Sequence, residues 1–193
     1  MQSASTFNIW RLTWPTILSN IAFMLTGLVF LKIAGGMGID AVAAVTTGQR
    51  LFFILFAVMM GLSSGTTALV GRYWGAGKKE LAGRVAALSV IIFFIDGLLL
   101  SFIAIPFLEP LVGIFGLTPE AQILAVEFVY YTVLFAPPLL IVLVFSMAFR
   151  ATGDSQTPLW AAVVGAVLGV YLGIVYTYGW HGIAPHGLAG LAI

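Results

Sequence analysis

VAAVTTGQRLFFILFAVMMGLSSGTTAL, residues Val42–Leu69, is an apolar run of 28 residues whose one charged side chain is Arg50. At ~1.5 Å rise per residue, a helix of that length exceeds the ~30 Å hydrocarbon core of a bilayer. Four more apolar runs accompany it, Pro15–Ala34, Val85–Phe107, Ile123–Phe149 and Leu159–Tyr178, and a further one opens at Leu188. With 61% hydrophobic and 8% charged residues, the 193-residue chain lies far from soluble domains, in which about a quarter of residues carry charge. None of the runs has the polar stripe of a water-exposed helix. The chain therefore reads as an all-α polytopic membrane protein. It forms one helical bundle with spans at about 15–35, 41–70, 85–107, 120–150 and 158–178, and the start of a sixth at 188–193.

Six basic residues outside the spans set the orientation. Arg11 precedes the first span, Arg72, Lys78, Lys79 and Arg84 lie between the second and third, and Arg150 closes the fourth. The alternate connections, Gly35–Asp40, Leu108–Pro119 and Gly179–Gly187, hold no Lys or Arg. Basic loops stay on the cytoplasmic side, so the N-terminus is expected to be cytoplasmic in a multi-pass cell-membrane protein, of the bacterial inner-membrane type. The first run is too long for a signal-peptide core and reads as a retained span. Trp10, Trp14, Tyr73, Trp74, Trp160, Tyr178 and Trp180 fall near the expected interfaces, where amphipathic rings settle.

Helix punctuation follows the same boundaries. Asp40 is expected to cap the second span, Thr118-Pro119-Glu120 the fourth and Thr157-Pro158 the fifth. Pro137-Pro138 removes two amide donors from the middle of the fourth span and predicts a bend or hinge. Gly61, Ser64, Gly65 and Ala68, and likewise Gly165, Gly169 and Gly173, give narrow faces suited to close helix packing.

Ionisable residues inside the runs are the functional candidates, since each costs ~2.5–3.5 kcal/mol at the membrane centre without a partner or water. They are Lys32, Arg50, Asp96 and Glu127. Counted from the helix ends at ~1.5 Å per residue, Lys32 lies about one turn in, Glu127 about 10 Å, Arg50 about 14 Å and Asp96 about 16 Å. Matched depth suggests an Arg50–Asp96 pair, with Glu127 facing an outward cavity or reaching Arg50 or Lys32. The alternative is simple mutual neutralisation, or outward snorkelling of Lys32 and Glu127. Asn20, Thr26, Gln49, Tyr130 and Tyr131 sit at similar depth and are candidates to line the same cavity. His181 and His186 flank Pro185 with no nearby carboxylate. The absence of cysteine excludes disulfides and thiolate chemistry. No metal cluster, catalytic triad, phosphate loop, cofactor motif or nucleic-acid-binding patch is present, so an enzyme is not expected.

Two segments carry a family resemblance. Gly61-Leu-Ser-Ser-Gly-Thr-Thr-Ala-Leu-Val-Gly-Arg-Tyr-Trp-Gly-Ala-Gly77 resembles the end of the second helix of multidrug and toxic-compound extrusion (MATE) transporters. Arg150-Ala-Thr-Gly-Asp-Ser-Gln-Thr-Pro158 is similar to that family's loop between helices four and five. The motif positions are Pro15, Gly61, Gly65, Arg72, Gly75, Gly77, Arg150, Gly153, Asp154 and Pro158. Trp14–Asn20, Gly38–Ala44 and Gly187–Gly190 fit the first helix, first loop and sixth-helix start. The resemblance implies the six-helix N-terminal lobe of a twelve-helix secondary antiporter, with the sixth helix truncated. Such a protein exports cationic or amphipathic compounds in exchange for H+ or Na+, and this lobe alone is expected to be incompetent without a C-terminal six-helix lobe. The alternatives are a lipid-linked-precursor flippase of the same superfamily and a non-transporting half-protein. One departure bears on coupling. The positions that carry Asp, Asn, Asn and Asp in the family fall on Phe30, Ala166, Gly169 and Gly173, so the lobe's cation site lacks polar ligands.

Because the chain holds no cysteine, Lys79→Cys gives a unique probe of orientation. A membrane-impermeant maleimide should label it in inverted vesicles and not in intact cells; labelling from outside would reverse the topology.

Overall fold

The structure is a computed structural model describing residues 9–179 and 185–192. Among the described residues every regular element is helical: α1 Ile9–Met37, α2 Ile39–Gly75, α3 Lys79–Ala104, α4 Leu108–Gly113, α5 Pro119–Leu134, α6 Ala136–Ala151 and α7 Gln156–Tyr178. A 3-10 turn, Ile105–Phe107, joins α3 to α4, and another covers Gly187–Leu191. Four stretches are long and apolar enough to cross a bilayer, Thr13–Met37, Ile39–Gly75, Lys79–Gly113 and Gln156–Tyr178, and α5 with α6 counts as a fifth, bent span when the pair is read as one.

The boundaries differ from the sequence reading where turns are tighter than composition suggests. The connection expected over Gly35–Asp40 shrinks to Gly38, whose φ of 121° lets two helices meet almost without a loop. Asp40 consequently lies in the first turn of α2 instead of capping it, and its Oδ1 accepts a 2.7 Å bond from the Thr118 hydroxyl. Thr118 also caps α5 as expected, its Oγ1 accepting from the Ala121 amide, with Pro119 opening the helix. The connection after the third span is largely helical, since α4 occupies Leu108–Gly113. The sixth span begins as a 3-10 turn.

Close packing uses glycines other than those singled out by spacing. A methyl group at Gly48 would collide with the Phe128 ring, which seats α2 on α5. At Gly97 it would lie 2.8 Å from Cα of Pro137, which seats α3 on α6, and at Gly190 it would meet the backbone of Tyr176 and Thr177. Gly61, Gly65, Gly165 and Gly169 have nothing within 4 Å of such a group. Of the two expected packing faces, only Gly173 touches a neighbour, the Phe30 ring of α1.

The fourth span is bent by 52° at Phe135, between α5 and α6. Pro137 and Pro138 sit in the first turn of α6, where amides lack helical partners in any case. The cost falls on the carbonyls of Val133 and Leu134, which an unbroken helix would pair with residues 137 and 138. The Ser101 hydroxyl of α3 approaches the Val133 carbonyl oxygen at 2.7 Å, its own Gly97 carbonyl lying 2.9 Å away. A buried side chain thus adds a donor to an acceptor that proline deprives of its helical partner and that otherwise shares the Phe135 amide with Tyr131.

Ser101→Ala should destabilise the protein by about 0.5–1.5 kcal/mol by removing that donor, whereas Ser101→Thr should retain most of the stability. Thermal unfolding in detergent distinguishes them; equal midpoints would show that the bond contributes nothing.

Candidate functional site

α2 has two unlike sides. At about 100° per residue, Gly48, Met59 and Thr66 fall on one line of the helix. That line packs against Phe128 of α5 at Gly48, against Phe93 and Leu140 around Met59, and against Ser89 of α3 through a buried 3.0 Å bond from Thr66. Arg50, Ala57, Gly61, Ser64 and Ala68 lie on the opposite line, and all five are exposed.

Arg50 sits eleven residues beyond Ile39, about 16 Å below the helix end. It lines an open groove of about 470 Å3 with Thr46, Gln49, Phe53, Ile54 and Phe115. The Thr46 hydroxyl is committed to the Val42 carbonyl at 2.7 Å. The Gln49 amide lies beside α1, 3.7 Å from where a methyl group on Gly27 would sit. A guanidinium this deep is too costly to face lipid.

The depth-matched pairing does not occur. Among the described residues the ion pair present is Arg84 with Glu80, 2.7 Å apart at the basic end of the bundle. Arg50 points away from α5, which bears Glu127, and from α3, which bears Asp96. Equal depth along two helices brings charges together only when both also face the contact. Lys32 and Glu127 are exposed, and neither forms the expected pair. Asp96 is half-buried immediately before Gly97, the residue against which Pro137 packs.

The remaining candidates scatter. Asn20 is exposed, Thr26 donates to its own helix at Ala22, and Tyr130 and Tyr131 meet edge to face at 5.3 Å. His186 packs on the Tyr176 ring, while His181 and Trp180 lie outside the described residues. The Phe30 and Gly173 positions, distant in sequence, do come together. A methyl group on Gly173 would lie 3.2 Å from the Phe30 ring, so the place expected for cation ligands is an apolar contact.

The two motif segments also converge at the basic end. A methyl group on Gly71 of α2 would sit 3.7 Å from the Ala151 carbonyl at the end of α6. Gly77 at φ 76° and Gly153 at φ 90° end α2 and α6 with the same pair of bonds: Lys78 N to Tyr73 O with Gly77 N to Trp74 O, and Asp154 N to Phe149 O with Gly153 N to Arg150 O. This left-handed stop explains both motif glycines. Arg150 keeps its Nε buried with no hydrogen-bond partner. Thr157 does not cap α7, which already starts at Gln156. Asp154 does so, its Oδ1 accepting from the Gln156 and Thr157 amides and its Oδ2 from the Thr157 hydroxyl at 2.6 Å. The bonds from Thr157 hold this carboxyl below the usual range.

The described residues thus form an all-helical bundle of candidate membrane spans with an exposed, charge-bearing face on α2. The MatE family model matches residues 15–175, and the chain belongs to this family of transporters. It is 31% identical over 198 residues to the probable multidrug resistance protein YoeA of Bacillus subtilis, covering 99% of this chain and 42% of that one. It is 25% identical to a Shewanella oneidensis protein described as an FAD transporter, over 84% of this chain and 35% of that one. Among solved structures it superposes with a TM-score of 0.86 and 28% identity on a MOP superfamily transporter from Pyrococcus furiosus, whose binding pocket is described as having reverse polarity. That match covers 95% of this chain and 40% of the other. The chain thus spans about two fifths of the length of the relatives it matches.

Asp154→Ala should cost about 1 kcal/mol through fraying of the first turn of α7. A depressed carboxyl stabilises fully above its unfolded pKa of ~3.9, and the contribution disappears as pH falls through the lowered native value. Melting of wild type and variant should therefore differ at pH 7 and converge in strong acid.

Proposed function

We propose that this chain is the N-terminal lobe of a secondary active exporter that moves small amphipathic compounds outward in exchange for protons or sodium ions. In this reading the N-terminus is cytoplasmic, and a second six-helix lobe closes over the bare face of α2. The observation that carries it is that face itself. Arg50 makes it too polar for lipid, and the small residues Ala57, Gly61, Ser64 and Ala68 leave room for a neighbour or a cargo to approach the backbone. The relatives' descriptions, multidrug resistance in one case and FAD in another, support a small-molecule cargo. With half of the cavity wall missing, the 193-residue chain by itself transports nothing.

Coupling does not reside where the family pattern would put it, because Phe30 and Gly173 offer no ligand to a cation. Asp96 and Glu127 are the carboxylates left at membrane depth. Asp96 is the better placed, one residue from the glycine that holds the bent fourth span, so a change of its charge acts next to a joint.

The test uses the longest natural polypeptide containing this chain, reconstituted in liposomes under imposed pH or sodium gradients. Asp96→Asn should abolish the dependence of export on the gradient while Glu127→Gln weakens it. Unchanged pH and sodium dependence in both variants would place coupling outside this lobe.

A further inference from the structure

We propose that the cargo received at the bare face of α2 is an organic anion, an amphipath whose carboxylate or phosphate head pairs with Arg50 while its flat apolar body lies on Phe53 and Phe115. This rests on the transporter reading above and narrows it to a class of substrate.

Charge complementarity carries the assignment. Of the six residues lining the groove, Arg50 is charged and none is acidic. Nor does the rest of the lobe neutralise it. Asp96 belongs to α3 and Glu127 to α5, and both helices pack on the opposite line of α2. Among the described residues Arg50 has no carboxylate within ion-pair distance, and Lys32, nearer its helix end, is likewise exposed and unpaired with any acid. An organic cation entering here would meet a positive wall. An oxyanion would meet a planar fork of donors suited to bidentate pairing.

The rest of the groove suits the other end of the molecule. Phe53 is 69% exposed and Ile54 57%, giving an apolar shelf with no partner of its own. Phe115, half-buried, closes one side of the groove from the segment after α4. Next to Arg50, the exposed Gln49 amide adds neutral donors for the edge of a polar head, and the Thr46 hydroxyl is already spent on its own helix. One guanidinium in about 470 Å3 fits one oxyanion head on a drug-sized body. By contrast, the cleft walled by Leu55, Leu100, Phe107 and Ile114 has no charged side chain, so nothing there selects a head group.

Fluorescein and rhodamine 123 provide the probe, since they share a xanthene body and carry opposite charge. The longest natural polypeptide containing this chain is reconstituted in liposomes and both dyes are followed under the same ion gradient. Fluorescein should move faster than rhodamine 123. Arg50→Gln should lower the fluorescein-to-rhodamine ratio by about tenfold or more, the loss expected for a charge-assisted bond, and Arg50→Lys should lower it less. Transport of rhodamine 123 with fluorescein left behind would overturn the anion assignment and leave the exporter reading standing. So would a ratio unchanged in both Arg50 variants. Movement of neither dye would overturn both readings.

Discussion

The approach of α2 to α5 at Gly48 governs the arrangement of the bundle. With no side chain on Gly48, the Phe128 ring lies directly on the α2 backbone, and Val129 fills the space beside it. In lipid there is no hydrophobic force to pull apolar helices together, so contact area gained by close approach has to supply the attraction. Once that line of α2 is fixed on α5, helical periodicity fixes everything else about the helix. Met59 and Thr66 fall on the same line and bind α6 and α3. Arg50 and the small residues below it are left facing outward. The charge and the open groove follow from the phase of one helix.

The bent fourth span answers a related constraint. A membrane interior offers no water to backbone groups, so each acceptor that a proline strands needs a partner from the protein. Ser101 serves Val133, and Gly97, one turn earlier on the same helix, gives Pro137 room to come close. The bend is therefore written into α3 as much as into the two prolines. Asp96 stands beside this joint, which ties a half-buried carboxylate to the sharply bent helix pair.

Apolar run length made the spans legible, because membrane thickness acts on composition alone. The bend at Pro137-Pro138 and the Thr118 cap were legible for the same local reason, a missing amide and a side-chain acceptor at a helix start. Rotation was not. A helix apolar on every side carries no moment to reveal its phase, so Arg50 and Asp96 looked paired from depth while facing different ways. Nor does sequence say which glycine meets a neighbour. Gly48, Gly97 and Gly190 make the tight contacts, whereas Gly61 and Gly65 have none. Asp40 was read as a cap because the turn before it was assumed longer than the single Gly38. The bond from Thr118 to Asp40 crosses 78 residues, and no local pattern announces it.

The electrostatics of the lobe turn on two features that point the same way. At the position late in the first helix where the family resemblance expects an acid, this chain has Phe30, packed on Gly173 where another acid is expected. On the second helix it has Arg50, without a counter-charge among the described residues. Apolar groups at the one place and a guanidinium without a described counter-charge at the other both leave the potential around the lobe positive, which favours an anion over a cation. A cation-binding lobe could survive the loss of its acids by relying on the opposite lobe. It could not also tolerate an unpaired guanidinium in the path of its cargo. The lost acids and the unpaired Arg50 are thus accounted for together if the cargo is negatively charged.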